Sequence, residues 1–280
     1  MSIDLGDNPV GNRPTIAQKT QIRASIGCCQ APFLVGNASQ LINNSNSFLI
    51  TAQEKFAFQI GAVNSLSFET AGGAPATVNL NALDDKNTIR SINGYEQNLL
   101  GLDASNCTGI NQSCSLSSGP LLNLNFSGCN NLPSLTCTAT SLTGLNVAGC
   151  TKLTSFICYD NQLTGLNVAG LTGLNTLSCY DNQLTGLNVA GLTGLTSFNC
   201  SYNQLSNLNI SGCTNLTTLN CTYNQLTTAS VNNILITLSG LGKSNGTLFM
   251  IGGSNAAPTS SGISAKTYLQ NIKNWTVITN

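Results

Sequence analysis

A repeat of 21 residues runs through the middle of this chain and restricts its possible folds more than any other feature. The stretch CYDNQLTGLNVAGLTGLNTLS begins at Cys158, and nearly the same letters begin again at Cys179. Leucines keep this spacing at Leu121, Leu142, Leu163, Leu184, Leu205 and Leu226, and cysteines keep it at Cys137, Cys158, Cys179, Cys200 and Cys221. A period of this length is typical of a solenoid, in which each repeat packs only against its neighbours.

The hydrophobic spacing within one repeat predicts two short strands on opposite sides of a coil. Leu153, Phe156 and Cys158 are spaced to point inward from the first strand. Leu166 and Val168 alternate in the same way on the other side, and a glycine after them permits a tight corner. Asparagine recurs where the first strand ends, and its amide can bond backbone groups of the coil. Stacked repeats place these asparagines in a ladder of Asn161, Asn182, Asn203 and Asn224.

The segment Leu153-x-x-Phe156-x-Cys158-x-x-Asn161-x-Leu163 resembles the signature of leucine-rich repeat proteins, and the next three copies keep its spacing. The resemblance covers about 100 residues. It implies a leucine-rich repeat solenoid that is mostly β, with parallel strands. The organisation we expect is an attachment segment at 1–30, a β-rich section at 31–77, the repeat solenoid at 78–230 and an α/β cap at 231–280.

The cysteines fall where leucine-rich repeats usually carry an inward aliphatic residue, so we interpret Cys158, Cys179, Cys200 and Cys221 as structural. In a second column, cysteines at positions 129, 150 and 213 alternate with leucines at 171 and 192, which favours packing as small hydrophobes. Neighbouring strands are close enough for a disulfide, yet five equally spaced cysteines cannot all pair along one column. Because the sequence has neither histidine nor a Cys-x-x-Cys pair, we expect no zinc, and because it has no phosphate loop or dinucleotide-binding motif, we expect no cofactor. Twelve cysteines indicate folding in a reducing compartment.

Charged residues are rare, with ten basic and ten acidic side chains, or 7% of the chain. Between Leu121 and Ser230 the charged residues are Lys152, Asp160 and Asp181. This composition argues against nucleic acid and against an anionic membrane surface as partners. No apolar run is long enough to span a bilayer, and the N-terminus lacks a secretory signal pattern. We therefore expect synthesis in a cytoplasm, without a secretory signal peptide.

The segment RPTIAQKTQIRASIG near the N-terminus predicts a short helix, which Thr15 can cap. It resembles a motif of tail fibres and related virion proteins of tailed bacteriophages. The matching residues are Thr15, Ala17, Gln18, Lys19, Gln21, Arg23, Ala24, Ile26 and Gly27. Ile16 departs from the motif, which has a small residue there. The resemblance implies that residues 1–30 attach the chain to other virion proteins.

The sections that flank the repeats have different patterns. Apolar runs between 31 and 77 predict short strands that cover the open end of the solenoid. After the repeats, two helices are predicted, one from Val231, Ile234, Leu235 and Leu238 with a stop at Gly240, and one from Ala265, Tyr268, Leu269 and Ile272. Strands are predicted at Thr247–Ile251 and Trp275–Thr279, with Trp275 in the core. The segments SNAAPTSSGISAKTYLQ and NWTVITN resemble C-terminal segments of leucine-rich repeat proteins from phages and environmental bacteria.

The candidate binding residues are tyrosines on the outward side of the repeat strands. Tyr159 and Tyr180 form one column, and Tyr202 and Tyr223 stand one position further along their repeats. Aromatic rings surrounded by Asn, Ser, Thr and Asp suit sugar rings or the polar surface of another protein.

Two aspartates, Asp160 and Asp181, are expected side by side on neighbouring strands, about 5 Å apart at Cα. A carboxylate pair can serve a glycosidase or hold a calcium ion. An exposed pair on a flat sheet with no predicted cleft favours a solvated surface instead. Without histidine, no serine or cysteine nucleophile has its usual base, so we expect no enzyme activity.

These features favour a non-enzymatic structural protein of a phage virion. The expected role is an appendage of the tail-fibre or head-fibre type that presents the repeat surface to a host polysaccharide or protein. A capsid decoration or cement protein is an alternative, because a sheet of low charge can also pack on other subunits. An exported bacterial leucine-rich repeat adhesin is a further alternative, which the phage-like motif and the missing signal peptide disfavour.

Overall fold

The structure is a computed structural model that describes residues 48–49, 56–61, 65–70, 76–79, 91–95 and 99–280. The chain divides into two compact units, Met1–Cys150 and Thr151–Asn280. Each unit contains coils of a parallel β-solenoid with turns of about 21 residues, which confirms the predicted leucine-rich repeat fold. The predicted N-terminal helix and the whole of 1–30 lie outside the described residues.

The first unit contains ten described strands. They are β1 (Phe48–Leu49), β2 (Phe56–Gly61), β3 (Ser65–Thr70), β4 (Ala76–Asn79), β5 (Ser91–Tyr95), β6 (Leu99–Asp103), β7 (Cys114–Ser117), β8 (Asn123–Asn125), β9 (Ser134–Thr138) and β10 (Gly144–Asn146). One sheet has the order β1-β2-β3-β5-β7-β9, and a second has the order β10-β8-β6-β4. The first three strands are antiparallel, and all other pairs are parallel.

The second unit contains eight strands and two helices. The strands are β11 (Ser155–Ile157), β12 (Gly165–Asn167), β13 (Thr176–Ser178), β14 (Gly186–Asn188), β15 (Ser197–Asn199), β16 (Thr218–Asn220), β17 (Thr247–Met250) and β18 (Thr276–Thr279); the helices are α1 (Thr228–Gly240) and α2 (Ser260–Asn271). The main sheet of this unit has the order β11-β13-β15-β16-β17-β18, with every pair parallel. Strands β12 and β14 pair on the opposite side of the coils.

The register follows the sequence period, because residues that stand one repeat apart pair directly. Phe156 pairs with Leu177, which pairs in turn with Phe198. These middle residues of each strand are buried, while their two neighbours are partly exposed. On the other side, Leu166 and Val168 are buried as the alternation predicted. The coil corner after them is at Gly170, whose φ of 80° favours glycine.

The C-terminal cap replaces the second strand of each coil with a helix. Helix α1 begins at the N-cap Thr227, whose hydroxyl accepts a hydrogen bond from the Ser230 amide. The Ser230 hydroxyl in turn accepts from the Leu208 amide at 3.0 Å, which ties α1 to the preceding coil. The buried residues of α1 include the four that its periodicity predicted. Each helix is followed by a parallel strand, so the cap continues the main sheet of this unit.

Tyr268 lies on the exposed side of α2, and Ile272 is the residue that follows its last residue, Asn271. Tyr268 and Ile272 are 41% and 67% exposed, while Gly262, Ala265 and Leu269 are buried. A side chain on Gly262 would collide with Asn232 of α1, so the closest approach of the two helices follows the glycine face. Trp275 is 4% exposed, as expected for a core residue, and its indole nitrogen donates to the Lys243 carbonyl.

Candidate functional site

The predicted tyrosines follow the strands of the main sheet in the second unit, and they stack in two pairs. The ring centroids of Tyr159 and Tyr180 are 4.4 Å apart, with 14° between the ring planes. Those of Tyr202 and Tyr223 are 4.5 Å apart, with 12° between the planes. Because successive coils have the spacing of neighbouring strands, each pair is a stack along the solenoid axis. We refer to the outward side of this sheet, with the turn that follows its strands, as the sheet face.

The two pairs have different backbone environments. Tyr202 and Tyr223 have φ values of 52° and 51°, in the left-handed region that non-glycine residues rarely adopt. The same repeat position is occupied by Asp160 and Asp181 in the preceding coils, with φ values of 56° and 54°. Aspartate tolerates this conformation, whereas a bulky aromatic residue is strained in it. Tyr202 and Tyr223 are 52% and 49% exposed, so about half of each residue stays open to solvent.

The aspartates and the first tyrosine pair form one polar cluster. Burial raises the pKa of the Tyr180 phenol above its usual range, and Tyr159, Asp160 and Asp181 raise it further. The Tyr180 hydroxyl therefore remains a neutral donor at physiological pH. The amide of Asp160 donates to the Tyr180 carbonyl at 3.1 Å, which places the two aspartates in neighbouring coils. Both carboxylates belong to exposed residues.

The asparagine ladder fixes the turn that carries these side chains. The Asn203 amide nitrogen donates to the carbonyl oxygens of Cys179, Cys200 and Ser201 at 3.0, 3.2 and 3.1 Å. Its side-chain oxygen accepts from the Leu184 amide of the preceding coil at 2.9 Å. Asn182 and Asn224 make the equivalent bonds, and Asn161 donates to two carbonyls of its own turn. Every turn therefore has the same backbone shape, which repeats the outward positions at regular spacing.

The cysteine column lies directly behind this turn. Cys158, Cys179, Cys200 and Cys221 are all 0% exposed and none is in a disulfide. Burial raises the pKa of the Cys179 thiol to about 12 and also raises the pKa of Cys200 and of Cys221, so these three thiols stay protonated and unreactive at neutral pH. In the second column, the Cys213 thiol donates to the Val189 carbonyl of the preceding coil at 3.1 Å. Cys129 and Cys150 donate in the same way to Ala104 and Phe126.

Three further residues of the sheet face were not predicted from the sequence. Phe249 of β17 pairs with Ile278 of β18, and Ile251 directly follows β17. Ile251 and Ile278 are 43% and 41% exposed, and Phe249 is partly exposed. The alternation of the predicted strands could have placed them outward, but the helices of the cap interrupt the 21-residue period that identified the other positions.

No group of three or more His, Cys, Asp or Glu side chains that could hold a metal ion is found among the described residues. Asp160 and Asp181 lie side by side on an exposed surface. Among the described helices, none is long and apolar enough to cross a membrane.

Comparison with known proteins supports the predicted fold but assigns the chain to no protein family. No family model and no curated protein sequence matches the chain. The functional domain of InlJ from Listeria monocytogenes, described as including a cysteine ladder, matches with a TM-score of 0.50 and 24% identity, over 64% of this chain and 38% of that chain. An internalin (inlF) from the same organism has a TM-score of 0.40 and 19% identity, over 78% of this chain and 82% of that chain. This chain therefore spans well under half of the InlJ structure.

Proposed function

We propose that this chain is a non-enzymatic recognition protein that binds a macromolecular partner through its sheet face. The observation that supports this most directly is the pair Tyr202 and Tyr223, which are exposed aromatic rings in a left-handed backbone conformation. That conformation costs about 1–2 kcal/mol per residue, and stacking returns about 0.5–1.5 kcal/mol for the pair. Stacking alone therefore does not offset the strain of the two residues, and exposed aromatic rings are the residues that bind partners most strongly.

The surroundings of the tyrosines also suit an interface. Asn, Ser and Thr side chains fill most outward positions of the strands, and the turn behind them is fixed by the asparagine ladder. A rigid surface loses little conformational entropy when it binds. The solenoid repeats this surface from coil to coil, which is how repeat proteins build extended binding faces.

We further propose that the protein is an appendage of a phage virion, attached through residues 1–30. The support is the resemblance of Thr15–Gly27 to the virion motif, together with the low charge of the repeats. Residues 1–30 lie outside the described residues, so this attachment is an inference from sequence. The two alternatives place the same sheet face elsewhere, on a capsid as a decoration protein or on a bacterial surface as an adhesin.

Immunogold labelling with an antibody to this chain separates these locations. Label at the tail or at a head fibre of purified particles is the expected result. Uniform label over the capsid would indicate a decoration protein, and label on bacterial cells without particles would indicate an adhesin. A chain that lacks 1–30 should keep its melting temperature and fail to join particles; normal incorporation would contradict the attachment role.

A further inference from the structure

Strand β18 is an edge strand of the main sheet in the second unit, because it pairs with β17 and no described strand pairs with its other side. The Thr276 amide donates to the Gly246 carbonyl at 2.9 Å, on the side of β17. Backbone groups of successive residues in a strand point to opposite sides, so those of Val277 and Thr279 point away from β17. Such outward N–H and C=O groups are a template for a strand of another chain.

The composition of β18 favours this kind of pairing. All of its residues, Thr276–Thr279, are β-branched and uncharged, as is typical of residues enriched in strands. Ile278 in the strand is 41% exposed, and Ile272 just before it is 67% exposed. An uncharged edge strand with exposed apolar side chains tends to associate with other chains. The strand therefore carries no protection against pairing in its own sequence.

Two side chains of helix α2 reach this edge. The Gln270 side-chain nitrogen donates to the Val277 carbonyl at 3.1 Å, which occupies one of the outward groups. The Lys266 ammonium donates to the Thr279 hydroxyl at 2.9 Å, so a positive charge lies beside the next outward residue. A strand that paired with β18 would displace the Gln270 amide and remove the Lys266 ammonium from water, which is costly for a charge without a counter-charge. We refer to Lys266 and Gln270 as the edge cover.

The two positions of the edge cover carry different side chains in α1. Seven and eleven residues after its N-cap, α1 has Ile234 and Leu238, which are both 0% exposed. Seven and eleven residues after its own N-cap, α2 has Lys266 and Gln270. The coil of β18 follows α1, whereas no described coil follows α2. The change from aliphatic to polar side chains therefore coincides with the edge of the described sheet.

The charge of Lys266 is not explained by an ion pair within the cap. Residues 227–280 contain lysines at 243, 266 and 273 and no acidic residue. A lysine at an edge strand is, however, one of the means by which proteins prevent pairing between sheets.

We propose that the edge cover prevents β18 from pairing with a strand of a second copy of this chain. Gln270 occupies the Val277 carbonyl, and Lys266 places at the edge a charge that a strand interface would have to bury. This role lies outside the sheet face and does not depend on the proposed function.

The test compares variants of the full chain. Lys266→Ala with Gln270→Ala removes both hydrogen bonds to the edge and adds no large apolar side chain. The matched control is Thr267→Ala with Asn271→Ala, which changes two exposed residues of α2 at the same spacing, one position further along. Lys266→Arg is a conservative variant that keeps the charge and the donor. Sedimentation velocity at increasing concentration measures the mass, and amide hydrogen exchange measures the protection of Val277 and Thr279.

We expect the average mass of the Lys266→Ala, Gln270→Ala variant to rise at least about twofold over that of the natural chain, as for a new dimer contact. The Val277 and Thr279 amides should then exchange at least about tenfold more slowly than in the natural chain. The matched control and Lys266→Arg should keep the mass of the natural chain.

Three outcomes would overturn the proposal. One is a double variant that keeps its melting temperature and the mass of the natural chain. Another is a larger mass without protection of Val277 and Thr279, since association would then involve a different surface. The third is slow exchange of these two amides in the natural chain, because the edge would then already be paired. If the double variant melts early, the single variant Lys266→Ala is judged by the same two measurements.

Discussion

The side-chain nitrogen of Asn255 donates a hydrogen bond to the Cys221 carbonyl at 3.0 Å. The side-chain oxygen of Asn255 accepts from the Leu226 amide at 2.9 Å. These are the bonds that Asn224 makes to the coil before it, to Cys200 and Leu205. The asparagine ladder therefore continues into the cap, 31 residues after Asn224 rather than 21. The cap is joined to the repeats by the same interaction that joins the repeats to each other.

Replacing Asn255 with leucine should lower the free energy of unfolding by about 2–4 kcal/mol. The substitution leaves the buried Cys221 carbonyl and Leu226 amide without these partners, and each unsatisfied group costs about 1–3 kcal/mol. Denaturant unfolding of the full chain measures the change. The neighbouring Ser254→Ala is the control, because Ser254 is exposed and should change stability by less than about 0.5 kcal/mol. Equal unfolding midpoints for the two variants would show that Asn255 does not hold the cap.

The two cysteine columns should respond differently to serine. Cys179→Ser buries a hydroxyl among the neighbouring thiols and apolar side chains, which should destabilise the chain by about 1–3 kcal/mol. Cys179→Ala should cost less, because it buries no polar group. At Cys213 a serine can donate to the Val189 carbonyl as the thiol does, so Cys213→Ser should be the milder change. Thermal unfolding of the three variants tests this, and a neutral Cys179→Ser would refute the packing role of the first column.

The buried thiols should make the fold sensitive to alkaline pH. Burial raises the pKa of Cys179 from 9.0 to about 12 and that of Cys150 to about 11. Above pH 9 the unfolded chain loses thiol protons that the native chain still holds. The native state then binds more protons, so the free energy of unfolding decreases as pH rises from about 9 to about 12.

Each such thiol contributes a slope of about 1.4 kcal/mol per pH unit within that window. Denaturant unfolding at several pH values measures the total slope. A variant with alanine at Cys158, Cys179, Cys200 and Cys221 is the control for tyrosine and lysine titration. Its slope should be smaller than that of the natural chain, and an unchanged slope would contradict the assignment to the thiols.

The parts of the fold that follow the repeat were predictable from the sequence, because one period assigns every equivalent residue at once. The inward position of Phe156 implies that of Leu177 and Phe198, and the strand pairs have that register. The cap was less predictable. Asn255 escaped notice because two extra residues separate it from its strand. The buried Gly262 of α2 was not among the residues from which the helix was predicted.

The candidate binding residues were also predictable only in part from the sequence. The outward positions of the tyrosines follow from strand alternation, which the sequence makes evident. Their stacking and their left-handed backbone depend on the shape of the turn, which the asparagine ladder determines. Those two properties distinguish Tyr202 and Tyr223 from ordinary surface tyrosines.

Tyr202→Asn should destabilise the chain less than Tyr180→Asn does, by about 1–2 kcal/mol. Asparagine relieves the left-handed strain of about 1–2 kcal/mol, and the lost ring stack removes about 0.5–1.5 kcal/mol. Differential scanning calorimetry measures the difference. The control is Tyr180→Asn, because Tyr180 is not a positive-φ residue and loses its stack without relief of strain. A larger loss of stability at Tyr202 than at Tyr180 would mean that the Tyr202 ring serves the fold.

Hydroxyl-radical footprinting tests most directly whether the sheet face is the recognition surface. The chain is labelled once in isolation and once in its native assembly, and mass spectrometry quantifies the modification of each residue. Tyr202, Tyr223 and Ile251 should be protected at least several-fold in the assembly, while Tyr268 on α2 and Ile272 directly after it should be labelled equally in both states. Protection of Tyr268 and Ile272 with unchanged labelling of Tyr202 and Tyr223 would contradict the account.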